Sequence, residues 1–124
     1  MQKKLIEDNA ILKLSFEFSL MILDYCERLD GLKKFIISKQ LLRSGTSIGA
    51  NAFEAQNSES KADFIHKMKI AAKEADETQY WLMLCSYAKE YPDPRLVLQM
   101  HEEVTKVLNA ILTTAKRKNP LVIF

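Results

Sequence analysis

Glycine and proline are scarce, three of each in 124 residues. Few points therefore force a break, and long uninterrupted elements are expected. Cysteine is scarce too. Cys26 and Cys85 are the only two, far from any CxxC spacing, which argues against a disulfide scaffold and a thiolate metal site. Both fall on apolar helical faces and read as reduced core residues. No apolar run approaches the ~18 residues of a membrane span. Glu7 and Asp8 stand where a signal peptide would need its apolar region, so a cytoplasmic protein with no membrane partner is expected. Neither phosphate-binding glycine pattern, GxxxxGK[ST] or GxGxxG, occurs. Neither charge sign dominates: 18 Lys and Arg against 16 Asp and Glu leave +2. Partner class must then be read from where the charges lie.

Hydrophobic residues make up 48% of the chain, which fits one folded domain with a core of its own. Their spacing is helical. Asn9 can cap a first helix with Ile11, Leu14, Phe18, Met21, Tyr25 and Leu29 on its seam. A second stripe, Leu12, Phe16, Leu20 and Leu23, implies that this helix meets several neighbours, another subunit among them. Asp30-Gly31 reads as its stop. A second helix carries Phe35, Ile37, Leu41, Ile48 and Ala55 inward. Ser60 with Asp63 starts a third, whose seam is Phe64, Met68, Ala71, Ala75, Leu82 and Cys85. Asp93-Pro94 starts a fourth, striped by Val97, Met100, Val104, Val107, Ile111 and Ala115. The expected helices span about residues 10–29, 32–56, 61–91 and 94–118, and short connections make the fold an all-α, antiparallel up-down-up-down four-helix bundle. The apolar tail Leu121-Val122-Ile123-Phe124 is expected to dock on its own bundle or on a neighbour.

The stretch from Leu41 to Gln56, LLRSGTSIGANAFEAQ, is helical in period yet nearly bare of bulk. Gly45 and Gly49 each cost roughly 1 kcal/mol inside a helix. That cost makes sense if close approach to another helix offsets it, and Ala71, Ala72 and Ala75 of the third helix offer a matching small surface. Ser44, Ser47, Gly49, Asn51, Ala71 and Ala75 are accordingly the candidates for helix packing and register.

An up-down-up-down bundle gathers one end of every helix. Lys3, Lys4, Lys13, Lys61, Lys67, Lys69, Lys73, Lys116, Arg117 and Lys118 fall toward that end, against Glu7, Asp8, Glu54, Glu59 and Asp63. The balance there is about +5, leaving about −3 elsewhere. Lys61, Lys67, Lys69, Lys73, Lys116, Arg117 and Lys118 are the candidate nucleic-acid contacts. Without interleaved aromatics, the contact expected is to RNA backbone.

Catalytic chemistry finds no constellation. His66 shares a face with Lys69 and Lys73 and reads as an exposed histidine. His101, beside Glu102 and lacking a second histidine at i+4, reads as a surface residue. Glu74 and Glu77 share a face but lack the Glu-x-x-His pairing of two-metal bundles, and read as surface pairs or caps. Ser44, Thr46 and Ser47 have no histidine near in sequence. No catalytic residue, metal or cofactor is assigned.

One constellation has a familiar look. Arg43-Ser44, Ser47-Ile48, Asn51 and Glu54, followed by Phe64, Met68, Ile70-Ala71, Glu74, Glu77 and Tyr80-Trp81-Leu82, resembles the four-helix-bundle family of the 23S rRNA intervening-sequence proteins. The diversity-generating retroelement accessory protein Avd belongs to the same group. The resemblance covers nearly the whole chain, with one departure: the family often carries a branched aliphatic and then Ala after the Asn, where this chain has Ala52 and Phe53. The resemblance implies a ring-like homopentamer and binding to structured RNA or to a nucleic-acid enzyme. It brings no catalytic residue. The expected function is a non-enzymatic oligomeric bundle contacting RNA or a nucleic-acid enzyme through its basic end. The alternative is a protein–protein assembly or adaptor module with no nucleic-acid role.

Overall fold

The fold is that of a computed structural model, which describes residues 7–117. Four α-helices of 21 to 27 residues carry it: α1 Ala10–Gly31, α2 Phe35–Ala55, α3 Lys61–Tyr87 and α4 Arg95–Arg117. α1 packs on α2 and α4, α3 packs on the same two, and the diagonal pairs stay apart. This square of chain neighbours joined by short turns is the antiparallel up-down-up-down bundle that the periodicity implies. Lys118 and the tail Leu121 to Phe124 lie outside the described residues.

The helix starts follow their caps. Asn9 Oδ1 accepts from the Leu12 N–H at 3.3 Å and Ser60 Oγ accepts from the Asp63 N–H at 3.0 Å, each cap worth ~1 kcal/mol. Asp93 Oδ1 accepts from the Arg95 N–H at 3.0 Å. That backbone N–H, with the Arg95 guanidinium, holds the Asp93 carboxyl below the usual carboxylate range. The stops depart from expectation. α1 runs through Gly31, and the residue in the left-handed region is Lys33, at φ 63°. The chain turns there because the Lys33 and Lys34 N–H groups close on the Asp30 and Leu29 carbonyls at 2.9 and 2.8 Å. α3 ends at Tyr87, short of Tyr91, and Glu90 takes a φ of 63° before Pro92 and Pro94.

Phe18, Ile22, Tyr25 and Leu29 of α1 meet Leu41 and Ile48 of α2, Met68 and Leu82 of α3, and Val104 and Leu108 of α4 in one core. Two expectations about facing, on α2 and α4, are corrected, and the second stripe of α1 divides. Leu12 is buried, while its stripe mates Phe16, Leu20 and Leu23 are exposed. Phe35 sits at the first position of α2, before the seam is covered, and is exposed. On α4 the buried row is Val97, His101, Val104, Leu108 and Leu112, with Met100, Val107 and Ile111 at its edge. His101 is thus a core residue. Ala75 of α3 offers its carbonyl to Nε2 at 2.8 Å, and the Phe18 ring lies 6.0 Å away.

Candidate nucleic-acid interface

The small-residue stretch of α2 divides its contacts between two neighbours. Its glycines face α1: a β-carbon on Gly45 would stand 2.8 Å from Ile22 Cγ1, and one on Gly49 would stand 3.3 Å from Ser15 Oγ. Its serine edge faces α3, where the buried Ser44 and Thr78 hydroxyls are hydrogen-bonded at 3.0 Å and Thr78 also reaches the Glu74 carbonyl at 2.7 Å. The matching of Gly45 and Gly49 to the alanines of α3 is therefore corrected; Ala71 and Ala75 are buried, and the Ala75 carbonyl bonds His101. Ser47 donates to the Arg43 carbonyl at 2.6 Å, and Asn51 donates to the Ser47 carbonyl at 2.9 Å. Both side chains thus bond their own helix one turn back.

Next to this stretch is a polar network across the outer edge of α2 and α3. Arg43 bridges Glu74, at 3.2 Å, and Glu77, and the Trp81 indole N–H donates to Glu77 at 3.0 Å. The two carboxylates pair at the surface, as their spacing suggested, with Arg43 as a partner that helix periodicity alone does not name. Among the described residues no group of three or more His, Cys, Asp or Glu is placed to hold a metal ion, and no helix is long and apolar enough to cross a membrane.

The basic end is built by the antiparallel order. The starts of α1 and α3 lie beside the ends of α2 and α4, and Asn9 Nδ2 reaches Gln56 Oε1 at 3.3 Å across the first such pair. Lys61, Lys69, Lys73, Lys116 and Arg117 are exposed, and Lys67 is half-buried. Among the described residues only Lys67 of these makes an ion pair, with Asp63 at 3.9 Å. Lys69 and Lys73, four residues apart, stand one above the other on α3 with exposed His66 a turn below. Beside this end, Leu12, Phe16, Gly49, Ala50 and Phe53 line an open apolar groove of about 550 Å³ between α1 and α2.

With this architecture in place, residues 7–112 match the family model described as 23S rRNA-intervening sequence protein. The chain belongs to that family. The family match spans all four helices, from before the Asn9 cap into the last turns of α4. A solved relative, a protein of unknown function from the S23 ribosomal protein family of Bacteroides thetaiotaomicron, is 41% identical. The likeness covers 82% of this chain and 97% of that one, with a TM-score of 0.78. No curated protein matches the chain. The 23S rRNA-intervening sequence bundle is thus shared by sequence and by shape, and the expected family and fold stand.

Proposed function

We propose that this chain is a non-enzymatic, self-associating bundle whose basic end contacts the phosphate backbone of structured RNA, alone or together with a nucleic-acid enzyme that acts on it. One observation carries the reading. Lys61, Lys69, Lys116 and Arg117 toward one end of the bundle, with Lys73 at the middle of α3, are exposed and make no ion pair among the described residues. Cations left without internal partners can displace the counterions of a phosphate backbone. The acids at the helix starts keep the net charge modest, and among the described residues that end offers no row of aromatics for stacking bases, so backbone contact with little base reading fits best.

The experiment is fluorescence anisotropy of the full chain against a structured RNA over a salt series. Affinity should fall steeply and log-linearly with salt. No binding at low salt, or binding indifferent to salt, would overturn the reading. A second reading, a protein–protein assembly or adaptor module without a nucleic-acid role, is favoured by the half-exposed row of Phe16, Leu20 and Leu23. It predicts a stable assembly that ignores RNA at every salt concentration.

A further inference from the structure

One face of α3 is left uncovered by its neighbours, and its character changes part-way along. Lys69, Lys73, Asp76, Tyr80, Met83 and Tyr87 follow at alternating intervals of four and three, so they share one stripe about 27 Å long. All six are exposed, on the side away from the buried row of Met68, Ala71, Ala75 and Leu82. Lys69 and Lys73 make no ion pair among the described residues. Beyond Asp76 the stripe turns aromatic: Tyr80, Met83 and Tyr87 are 57%, 47% and 85% exposed. Tyr80 is braced from the side. Its ring meets Trp81 at 5.4 Å and 67°, the Trp81 indole donates to Glu77, and Arg43 pairs with Glu77. Tyr87 walls an apolar notch of about 390 Å³ with Leu84 and Tyr91. Cations return at this end: Lys89 is exposed, and Lys34 Nζ sits 4.9 Å from the centre of the Tyr91 ring.

We infer that this face is a track for one unpaired RNA strand, with phosphates on Lys69 and Lys73 and bases stacked on Tyr80 and Tyr87. The inference rests on the backbone contact proposed above and extends it from folded RNA to a strand that leaves the fold. The two parts of the stripe suit the two parts of a nucleotide. Ammonium groups without internal partners take phosphates, and exposed aromatic rings take the face of any base. Asp76 keeps the parts separate. Its carboxylate repels phosphate, so a strand that passes it is favoured with its backbone turned away and its bases toward Tyr80. Base-paired RNA does not suit the aromatic part, because its bases are already stacked on one another, whereas unpaired bases can be splayed onto side chains. A helix of another protein does not suit the stripe either. A helix–helix seam wants apolar residues at this spacing throughout, and Lys69, Lys73 and Asp76 occupy half of its positions.

Anisotropy of the full chain against three labelled RNAs tests the inference: a blunt hairpin, the same hairpin with a short oligoadenosine overhang, and the same hairpin with an overhang of abasic riboses. The adenosine overhang should tighten binding about tenfold over the blunt hairpin. The abasic overhang carries the same phosphates and should lose most of that gain. Tyr80→Ala and Tyr87→Ala should each remove much of the gain and leave the blunt hairpin bound as before, while Tyr87→Phe, which keeps the ring, should retain it. Tyr87 is exposed, so circular dichroism of its variants should be unchanged. An abasic overhang that binds as tightly as the adenosine one overturns the inference, because the contact would then be to backbone alone. So does an overhang that adds nothing, and so do alanine variants that keep the full gain. Altered assembly of Tyr87→Ala in light scattering, with the gain intact, gives the face to a protein partner and overturns it too. A blunt hairpin bound with steep salt dependence but without the overhang gain leaves the RNA reading standing and removes only the track. The gain without any binding of the blunt hairpin keeps the track and removes structured RNA from that reading.

Discussion

Gly45 of α2 lies so close to Ile22 of α1 that an added β-carbon would stand 2.8 Å from Ile22 Cγ1 and 3.0 Å from Cδ1. Ile22 is fully buried and cannot swing into solvent. Gly45→Ala gains roughly 1 kcal/mol in helix propensity and loses about 1–3 kcal/mol to overpacking, so it should destabilise on balance. Ile22→Ala removes the offending atoms. In a double-mutant cycle read by urea unfolding, the pair should be more stable than the sum of the single changes by about 1 kcal/mol or more. Strict additivity would mean that the two residues do not press on each other.

Gly49 allows a graded version of the same test. Its added β-carbon would meet Ser15 Oγ at 3.3 Å and the Ser15 carbonyl at 3.4 Å. Alanine needs only a small shift there, while leucine must either press on Ser15 or fill the apolar groove that Gly49 lines between α1 and α2. Gly49→Leu should therefore disrupt folding or assembly, and Gly49→Ala should remain folded, as circular dichroism and light scattering would report.

Much of this architecture is written in the spacing of apolar residues. The four helices and three side-chain caps, Asn9, Ser60 and Asp93, follow from local rules that tertiary context does not override. What periodicity leaves open is which edge of a broad stripe turns inward. Val107 and Leu108 are both apolar, and only the packed helices show Leu108 buried and Val107 at the edge. His101 is the sharpest instance: a polar residue enters the core because a single carbonyl, that of Ala75, lies where its ring nitrogen can reach. The left-handed turns are hidden for another reason. Lys33 and Glu90 carry no glycine signal, and Gly31 supplies a false one. As for the basic end, charge counts along the chain name the residues, while their lack of internal partners is visible only once the helices pack.

Glu90 turns the hidden turn into a measurement. A non-glycine residue at φ 63° is held in a region costing roughly 1–2 kcal/mol, and glycine adopts it without that penalty. Against this stands glycine's greater freedom in the unfolded chain. Glu90→Gly should therefore stabilise the fold by up to ~1 kcal/mol, seen as a higher urea midpoint with an unchanged slope. A fall in the midpoint would contradict the assigned turn geometry.

Buried thiols make stability depend on alkaline pH. Burial pushes the Cys26 thiol from its ordinary value near 9.0 to about 11, the Ser38 hydrogen bond offsetting part of it. Burial also raises Cys85 and the Tyr25 hydroxyl. Above pH 9 the unfolded chain releases these protons while the folded chain keeps them. The unfolded state then binds fewer protons, so stability falls as pH rises from about 9 toward 11. Cys26→Ala should flatten part of that decline in pH-dependent urea melts. A stability rising across this window would contradict the burial of both thiols.

Salt dependence separates the two basic elements. Lys69 and Lys73 stand on the exposed face of α3, and Lys116 and Arg117 close α4. All four are exposed, so replacing them with alanine should leave the melt within about 0.5 kcal/mol of wild type. Removing one cation that touches a phosphate should lower the slope of log affinity against log salt by about 0.7–0.9. If both elements touch one RNA, Lys69→Ala/Lys73→Ala and Lys116→Ala/Arg117→Ala should each lower the slope by nearly two such steps, and the quadruple variant by their sum. If only the α4 pair lowers it, the contact is confined to the tip of the bundle and the face of α3 is solvated. Weaker binding with the slope unchanged would mean that these cations act on the fold or the assembly and touch no phosphate, which light scattering of the same variants would then reveal.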